Sequence, residues 1–427
     1  MLDIAFIREH TEEVRKNLAR RMDDTVNTRF DELLAKDKKW RALKTEMDEL
    51  VHQKNVITAR INELVKAKKD PTKERAKLKD LPARVKGIEA TTAALRQEID
   101  NLLLRIPNML HESVPIGANE GYNVEVKKWG KIPKKTFALK THAEIMENLG
   151  LTNFNRSRKI AGRGFYFLTG NLALMNQALI RFAIDHLVKK GFTYCEPPLM
   201  MNRKAYSGVT DLGDFENVMF KIEGEDRYMI ATSEHPMVAQ FMDETIDEKD
   251  LPIKLAGYSM CFRKEIGTHN VDERGIFRTH QFNKVEQVIL CKPEDSWKIH
   301  EELLKNTEEI FQALEIPYHV VNICTGDIGI IASKKYDIEA WMANQGKYRE
   351  VASCSHCTDF QARRLGIKCG KEGGTKRVLH TLNNTAIATG RAMVAILENN
   401  QNADGSVTVP KVLWPYMTGI KKIEPGK

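Results

Sequence analysis

Three stretches of the chain carry charged residues placed to grip a charged ligand. The first is Cys261-Phe-Arg263-Lys264-Glu265, followed after a glycine-containing loop by Arg274-Gly-Ile-Phe-Arg278-Thr279-His-Gln-Phe282-Asn-Lys-Val-Glu286. Alternate residues of a strand share a face, so Arg263 and Glu265 can present a guanidinium for a phosphate and a carboxylate for an amine side by side. The second stretch is Glu350-Val351-Ala352-Ser353. The third runs from Leu382-Asn-Asn-Thr385 to Gly390-Arg391 and on to Glu398, where a Gly-Arg pair opens an apolar helix. A guanidinium there lies near a helix N-terminus, which already favours an anion. Neither G-x-x-x-x-G-K-[ST] nor G-x-G-x-x-G occurs, and Gly370-Lys-Glu-Gly-Gly-Thr-Lys376 has the wrong spacing and reads as a basic loop. A nucleotide bound here must be held by side chains. Taken singly, each arginine is more often a surface ion-pair partner than a ligand, and their combination is what favours a ligand site.

The elements that must carry these residues lie after about residue 140. Runs rich in β-branched or aromatic residues at 228–232, 285–291 and 318–324 read as strands, and 172–190 and 293–314 as helices. No regular strand–helix–strand alternation is present, so the pattern favours an α+β fold on an antiparallel sheet.

Before this region the texture is different. Residues 1–20 read as one amphipathic helix with Asp3 as N-cap and Ile4, Ile7, Val14 and Leu18 near one face, packing the base of a longer helical segment. In that segment a 3–4 apolar spacing runs through Trp40, Leu43, Met47, Leu50, Ile57, Ile61 and Leu64, and returns from Leu78 to Ile106 with Thr92 as a polar seam position. So narrow a stripe is a coiled-coil signature, because only a two-helix seam buries it. Asp70-Pro71 marks the turn between arms of ~50 Å at ~1.5 Å per residue, an antiparallel hairpin over about 30–106 that projects into solvent. From Lys54 to Lys86 there are eleven Lys/Arg against four acidic residues, against a net charge of +8 for all 427 residues. Clustered cations of this kind displace counterions from a nucleic-acid backbone, and a rigid rod without aromatic platforms suits a structured RNA read by shape. The candidates are Lys54, Arg60, Lys66, Lys68, Lys69, Lys73, Arg75, Lys77 and Lys79. The organisation expected is an RNA-binding domain over 1–110 and a second domain over 111–427.

The combined motifs resemble motifs 2 and 3 of class II aminoacyl-tRNA synthetases. Thr232-Ser233-Glu234, His280-Gln-Phe-Asn-Lys-Val-Glu286, the run from Ser353-Cys-Ser-His-Cys to Arg364, and the run from His380 to Pro410 narrow the resemblance to the seryl-tRNA synthetase family over essentially the whole chain. Ser233 and Asn384-Thr385-Ala386 depart from the common bacterial pattern and look like the archaeal branch. The resemblance implies a class II antiparallel sheet flanked by helices, and activation of L-serine with ATP to seryl-adenylate and pyrophosphate. The seryl group then passes to the 3′ end of tRNA-Ser, with tRNA-Sec left open. It implies serine held by Thr232, Ser233, Glu234, Arg263, Glu286 and Thr385. ATP would be held by Arg263, Lys264, Glu265, Thr279, Phe282, Glu350, Val351, Ala352, Ser353 and Arg391, and Mg²⁺ would reach Glu350 and Ser353 through the nucleotide. Gly191-Phe-Thr-Tyr-Cys-Glu-Pro-Pro198 resembles motif 1 and implies a homodimer; the hairpin would contact the variable arm of the tRNA.

Other features are set aside. Cys354-Ser-His-Cys357 with Cys369 and His380 gives one clear ligand pair and not the two of a structural zinc. Met200 and Met201 read as core packing, and His235 and His280 as structural, since this reaction needs no acid–base group. A non-catalytic RNA-binding paralog would have lost some of Arg263, Glu265, Glu286 or Arg391, and an enzyme loading a carrier protein would lack the hairpin. Seven scattered cysteines, no run of eighteen apolar residues and an acidic start lead to the expectation of a cytoplasmic protein with no membrane partner.

Overall fold

The computed structural model describes residues 1–265, 274–371 and 373–425; most of the motif 2 loop, 266–273, lies outside them. Internal contacts divide the chain into two units, one of residues 2–19 with 23–107, the other of Met1, residues 20–22 and 108–427.

In the first unit the expected single helix over 1–20 is two, α1 (Ile4–Glu9) and α2 (Thr11–Ala19). Asp3 does cap α1, accepting from Ala5 N at 2.7 Å. The break falls where the Thr11 hydroxyl donates to the Ile7 carbonyl, a local bond that competes with the helix. Helix α3 (Asp24–Lys66) begins earlier than expected because Asp23 caps it. It returns through α4 (Thr72–Leu78) and α5 (Leu81–Leu103), which packs antiparallel against it. The return arm is interrupted before Leu81-Pro82, because proline is tolerated only in a first turn. Leu50, Leu81, Leu95 and Ile99 are buried and Leu43, Met47, Ile57 and Ile61 half-buried, as a two-helix seam requires. Thr92 is tolerated in the seam because its hydroxyl bonds Ile88 O at 2.7 Å. Asp37, almost fully buried, accepts from Arg8 at 2.6 Å and Arg41 at 3.0 Å, tying α1 to α3. Burial works against its ionisation, but the two guanidiniums hold its carboxyl below the usual range.

The second unit is built on an eight-stranded sheet of β1 (Val124–Trp129), β2 (Thr193–Cys195), β3 (Ile253–Phe262), β4 (Gln281–Cys291), β5 (Tyr318–Asn322), β6 (Lys334–Met342), β7 (Lys347–His356) and β8 (His380–Ala388). The spatial order is β1-β5-β6-β7-β8-β4-β3-β2, antiparallel except for β2 beside β3. Strand β4 shows how the faces are assigned. Val285, Ile289 and Cys291 point into the core beneath α6 (Gly170–Lys189), α8 (Ser296–Ala313) and α9 (Thr389–Asn399), while Lys284, Glu286, Val288 and Leu290 point to the other side. That side is covered in part by α7 (Glu234–Ala239). The expected strand at 228–232 is only Arg227–Met229, so Thr232 lies beyond it. Met201 is buried but Met200 is 43% exposed, which corrects its placement in the core.

Candidate active site

The bare face of the sheet is the floor of a cavity of about 340 Å³, within the range of small-ligand sites. Two β-bulges decide what lines it. Glu350 and Ser353 are three residues apart and would face opposite sides of a regular strand. A register shift at Val351 puts both on the cavity face, Glu350 opposite Glu339 and Ser353 opposite Asp337. A second shift at Ala386 does the same for Thr385 and Ala388, opposite Glu286 and Lys284.

Cations dominate one end. The Arg391 guanidinium, in the first turn of α9, bonds the Glu350 carbonyl at 3.0 Å and pairs with its carboxylate at 3.2 Å. Burial opposes the charge on Glu350, but Arg391, Lys335 and Arg263 hold its carboxyl well below the usual range. Asp337, bonded by Lys335 at 3.0 Å, is pushed up to about 7 by burial and the neighbouring Glu350 charge. Phe277 is flanked by Arg349 at 4.2 Å and Arg391 at 5.1 Å, and the Arg263 guanidinium lies 5.4 Å from the Phe282 ring. Planar cations and an aromatic face suit a polyanion with a flat ring.

The other end is acidic and closed. Glu286 stands between Gly257 of β3 and Thr385 of β8 and is wholly buried. The Thr385 hydroxyl donates to Glu286 Oε1 at 2.8 Å, the Lys284 ammonium pairs with the same oxygen, and among the described residues Oε2 has no hydrogen-bond partner. Lys284 also donates to Thr232 Oγ1 at 3.0 Å. Glu234, at the start of α7, accepts from Gln361 at 2.9 Å, and Gln361 is fixed by Thr381 at 2.6 Å. Burial, and then the Glu286 charge, push Glu234 up to about 7. A buried carboxylate oxygen without a donor is costly unless a ligand supplies one.

The family described as the tRNA synthetase class II core domain (G, H, P, S and T) matches residues 218–400, and the seryl-tRNA synthetase N-terminal domain matches residues 1–110. A serine–tRNA ligase of Methanocella arvoryzae is 54% identical over 99% of this chain and 100% of its own. The chain belongs to the seryl-tRNA synthetase family. A seryl-tRNA synthetase from Pyrococcus horikoshii, solved in complex with ATP, superposes with a TM-score of 0.96 at 45% identity, each chain covered fully. The cytoplasmic serine–tRNA ligase of Naegleria fowleri, solved with AMP, gives 0.91 at 34% identity, with 100% of this chain and 99% of that one covered.

Within this synthetase the expected residues fall into three groups. Arg263, Glu265, Thr279, Phe282, Glu350, Val351, Ala352, Ser353, Thr385 and Arg391 line one cavity. Thr232, Glu234 and Glu286 do not line it, and Lys284, which does, bonds Thr232 and Glu286. Two side chains are engaged elsewhere: the Ser233 hydroxyl donates to Gly257 O at 3.0 Å, and the Lys264 ammonium sits 5.9 Å from the Phe220 ring. Arg263 and Glu265 do not alternate on a strand, since β3 ends at Phe262. Glu265 has a φ of +45°, which re-aims its carboxylate to Arg278 at 2.9 Å. Thr279 likewise precedes β4, and its hydroxyl bonds Gln281 O at 2.9 Å.

Lys284, Lys335, Asp337, Phe277 and Gln361 escaped the sequence reading. Lys284 alone carried a local signal, two residues before Glu286 on one strand face. Cys354, Cys357 and Cys369 are free thiols, and among the described residues no three His, Cys, Asp or Glu side chains group as metal ligands. His280 is anchored, its Nδ1 2.9 Å from Arg263 O.

Proposed function

We propose that this synthetase activates L-serine with ATP to seryl-adenylate and pyrophosphate, then passes the seryl group to the terminal ribose of tRNA-Ser. One observation carries the serine assignment: a buried carboxylate, Glu286, clamped by Thr385 on one oxygen and without a donor among the described residues on the other. A small side-chain hydroxyl completes it, alanine leaves it unpaired, and a bulkier side chain does not fit. Glu234 and Thr232 receive the amino group. The serine carboxylate then faces the cationic cavity.

ATP is assigned to that cavity, with Arg263 at the α-phosphate, Phe282 and Glu265 at adenine, and Arg391 at the far phosphates. Two anions must approach in line, so the protein's contribution is charge neutralisation and placement more than proton transfer. Glu350 and Ser353 supply hard oxygen donors on one face, a set that fits Mg²⁺. The metal would add charge neutralisation at the phosphate oxygens.

The exposed cations Lys54, Arg60, Lys66, Lys68, Lys69, Lys73, Arg75, Lys77 and Lys79 of the hairpin are assigned to the variable arm of the tRNA. Val188, Tyr194, Leu199 and Met200 expose apolar surface around motif 1, which supports a homodimer through that segment. Among the described residues no helix is long and apolar enough to cross a membrane, and the cytoplasm is the compartment assigned. Amino-acid-dependent ATP–pyrophosphate exchange over all twenty amino acids tests the reading. Serine alone should support exchange, and Glu286→Gln should raise the serine KM about 100-fold, the scale for an unpaired buried group. Exchange with another amino acid, or unchanged kinetics in Glu286→Gln, defeats it.

A further inference from the structure

The serine site as it stands is shut. Glu286 is wholly buried and does not line the cavity, whereas Lys284 does. The Lys284 side chain is 10% exposed, and its ammonium binds Thr232 Oγ1 at 3.0 Å and Glu286 Oε1. Those two residues come from different elements, the segment before α7 and strand β4, and both are assigned to the substrate. An ammonium of the chain itself therefore occupies ground that the amino acid's polar groups must take. A second ammonium would have to compete with it for Thr232 Oγ1 and Glu286 Oε1.

The strand geometry says where Lys284 can go. It shares a face with Glu286 and lies one pleat nearer the phosphate end, opposite Ser259 of β3 and Ala388 of β8. Rotation about its side chain carries the ammonium towards the cavity that Arg263 and Ser353 line. The carboxylate of an amino acid seated on Thr232, Glu234 and Glu286 emerges at that point. Until it moves, the lysine pairs with Glu286.

We propose that Lys284 is a further amino-acid-binding residue, a plug that holds Thr232 and Glu286 and swings to the substrate carboxylate when serine enters. This rests on the serine reading of the site. Entry of serine exchanges one ammonium for another at Thr232, and the serine hydroxyl takes the place of the lysine as donor to Glu286. The displaced lysine then neutralises the carboxylate that must approach a phosphate. Amino acids without a free carboxylate would open the plug but offer it no new partner.

The test compares L-serine with L-serinamide, which keeps the amino and hydroxyl groups and lacks the carboxylate, as ligands of the full-length enzyme and of Lys284→Met and Lys284→Gln. The wild type should bind serine at least tenfold more tightly than serinamide. In both variants that preference should fall at least fivefold, with the exchange kcat reduced at least tenfold and the ATP KM within threefold of wild type. Wild-type serine kinetics in the variants, or equal loss of serine and serinamide binding, overturns the proposal. A wild-type crystal structure with L-serine decides it independently of variant folding: Lys284 Nζ should have left Thr232, and Nζ still bonded there beside bound serine refutes the swing. If the wild type shows no serine-dependent exchange, the serine reading itself has failed. If it does and Lys284→Met matches it, only the plug has.

Discussion

Glu234 sets how the site responds to pH. Burial and the Glu286 charge raise its carboxyl to about 7, so near neutrality it is shared between an acid and a carboxylate. Only the carboxylate receives an ammonium well. The serine kcat/KM, which reports the free enzyme, should therefore climb with pH through about 7 and level off above it. Glu234→Gln should lower the plateau and abolish the climb, read from exchange rates between pH 5.5 and 8.5. The stability consequence has the opposite sign. A folded-state value above the unfolded one means that this carboxyl favours the fold at low pH, and that contribution is lost as pH rises from the ordinary carboxylate range through about 7. Thermal melts without substrate should show that loss, and Glu234→Gln should remove its part of the slope.

At the level of strands and helices, Asp37 is the ion-pair centre of the first unit. Asp37→Ala removes both pairs, and because Arg8 and Arg41 keep contact with solvent the loss should be about 1 kcal/mol. Chemical unfolding followed by helical ellipticity measures it. Because the Asp37 carboxyl is held low, its contribution should be present above the ordinary carboxylate range and vanish as pH falls through the folded-state value. The hairpin itself was legible, since a narrow 3–4 stripe has one economical interpretation. The helix break at His10 and the interrupted return arm were not, because each depends on a single side-chain bond or proline against a strong helical background. In the second unit the bulges at Val351 and Ala386 were equally hidden. A bulge is a property of a strand pair, and no residue in Glu350-Val-Ala-Ser353 announces one.

For the whole molecule, the division into two units predicts separable activities. Replacing Lys54, Lys66, Lys68, Lys69, Lys73 and Lys79 by alanine should raise the KM for tRNA by tenfold or more and flatten its salt dependence. Each lost phosphate contact removes about 0.9 from the slope of log affinity against log salt on a duplex. Serine and ATP kinetics in pyrophosphate exchange should stay as they were. Equal loss of both activities would defeat an independent arm. The charge count supports this arrangement: the excess of cations between Lys54 and Lys86 accounts for most of the +8 of the chain.

The motifs alone sufficed for the family, the antiparallel α+β class and the basic hairpin, and they singled out Arg263, Phe282, Glu286, Thr385 and Arg391 as candidates, because local patterns and short strand runs encode them. The burial of Glu286, the bonds of Lys284 to Thr232 and of Gln361 to Glu234, the pairing of Glu265 with Arg278 and the shared face of Glu350 and Ser353 came from the folded chain. Each joins residues far apart in sequence, or apart by an odd number on a strand, so their relation is fixed by register and burial and not by any local pattern.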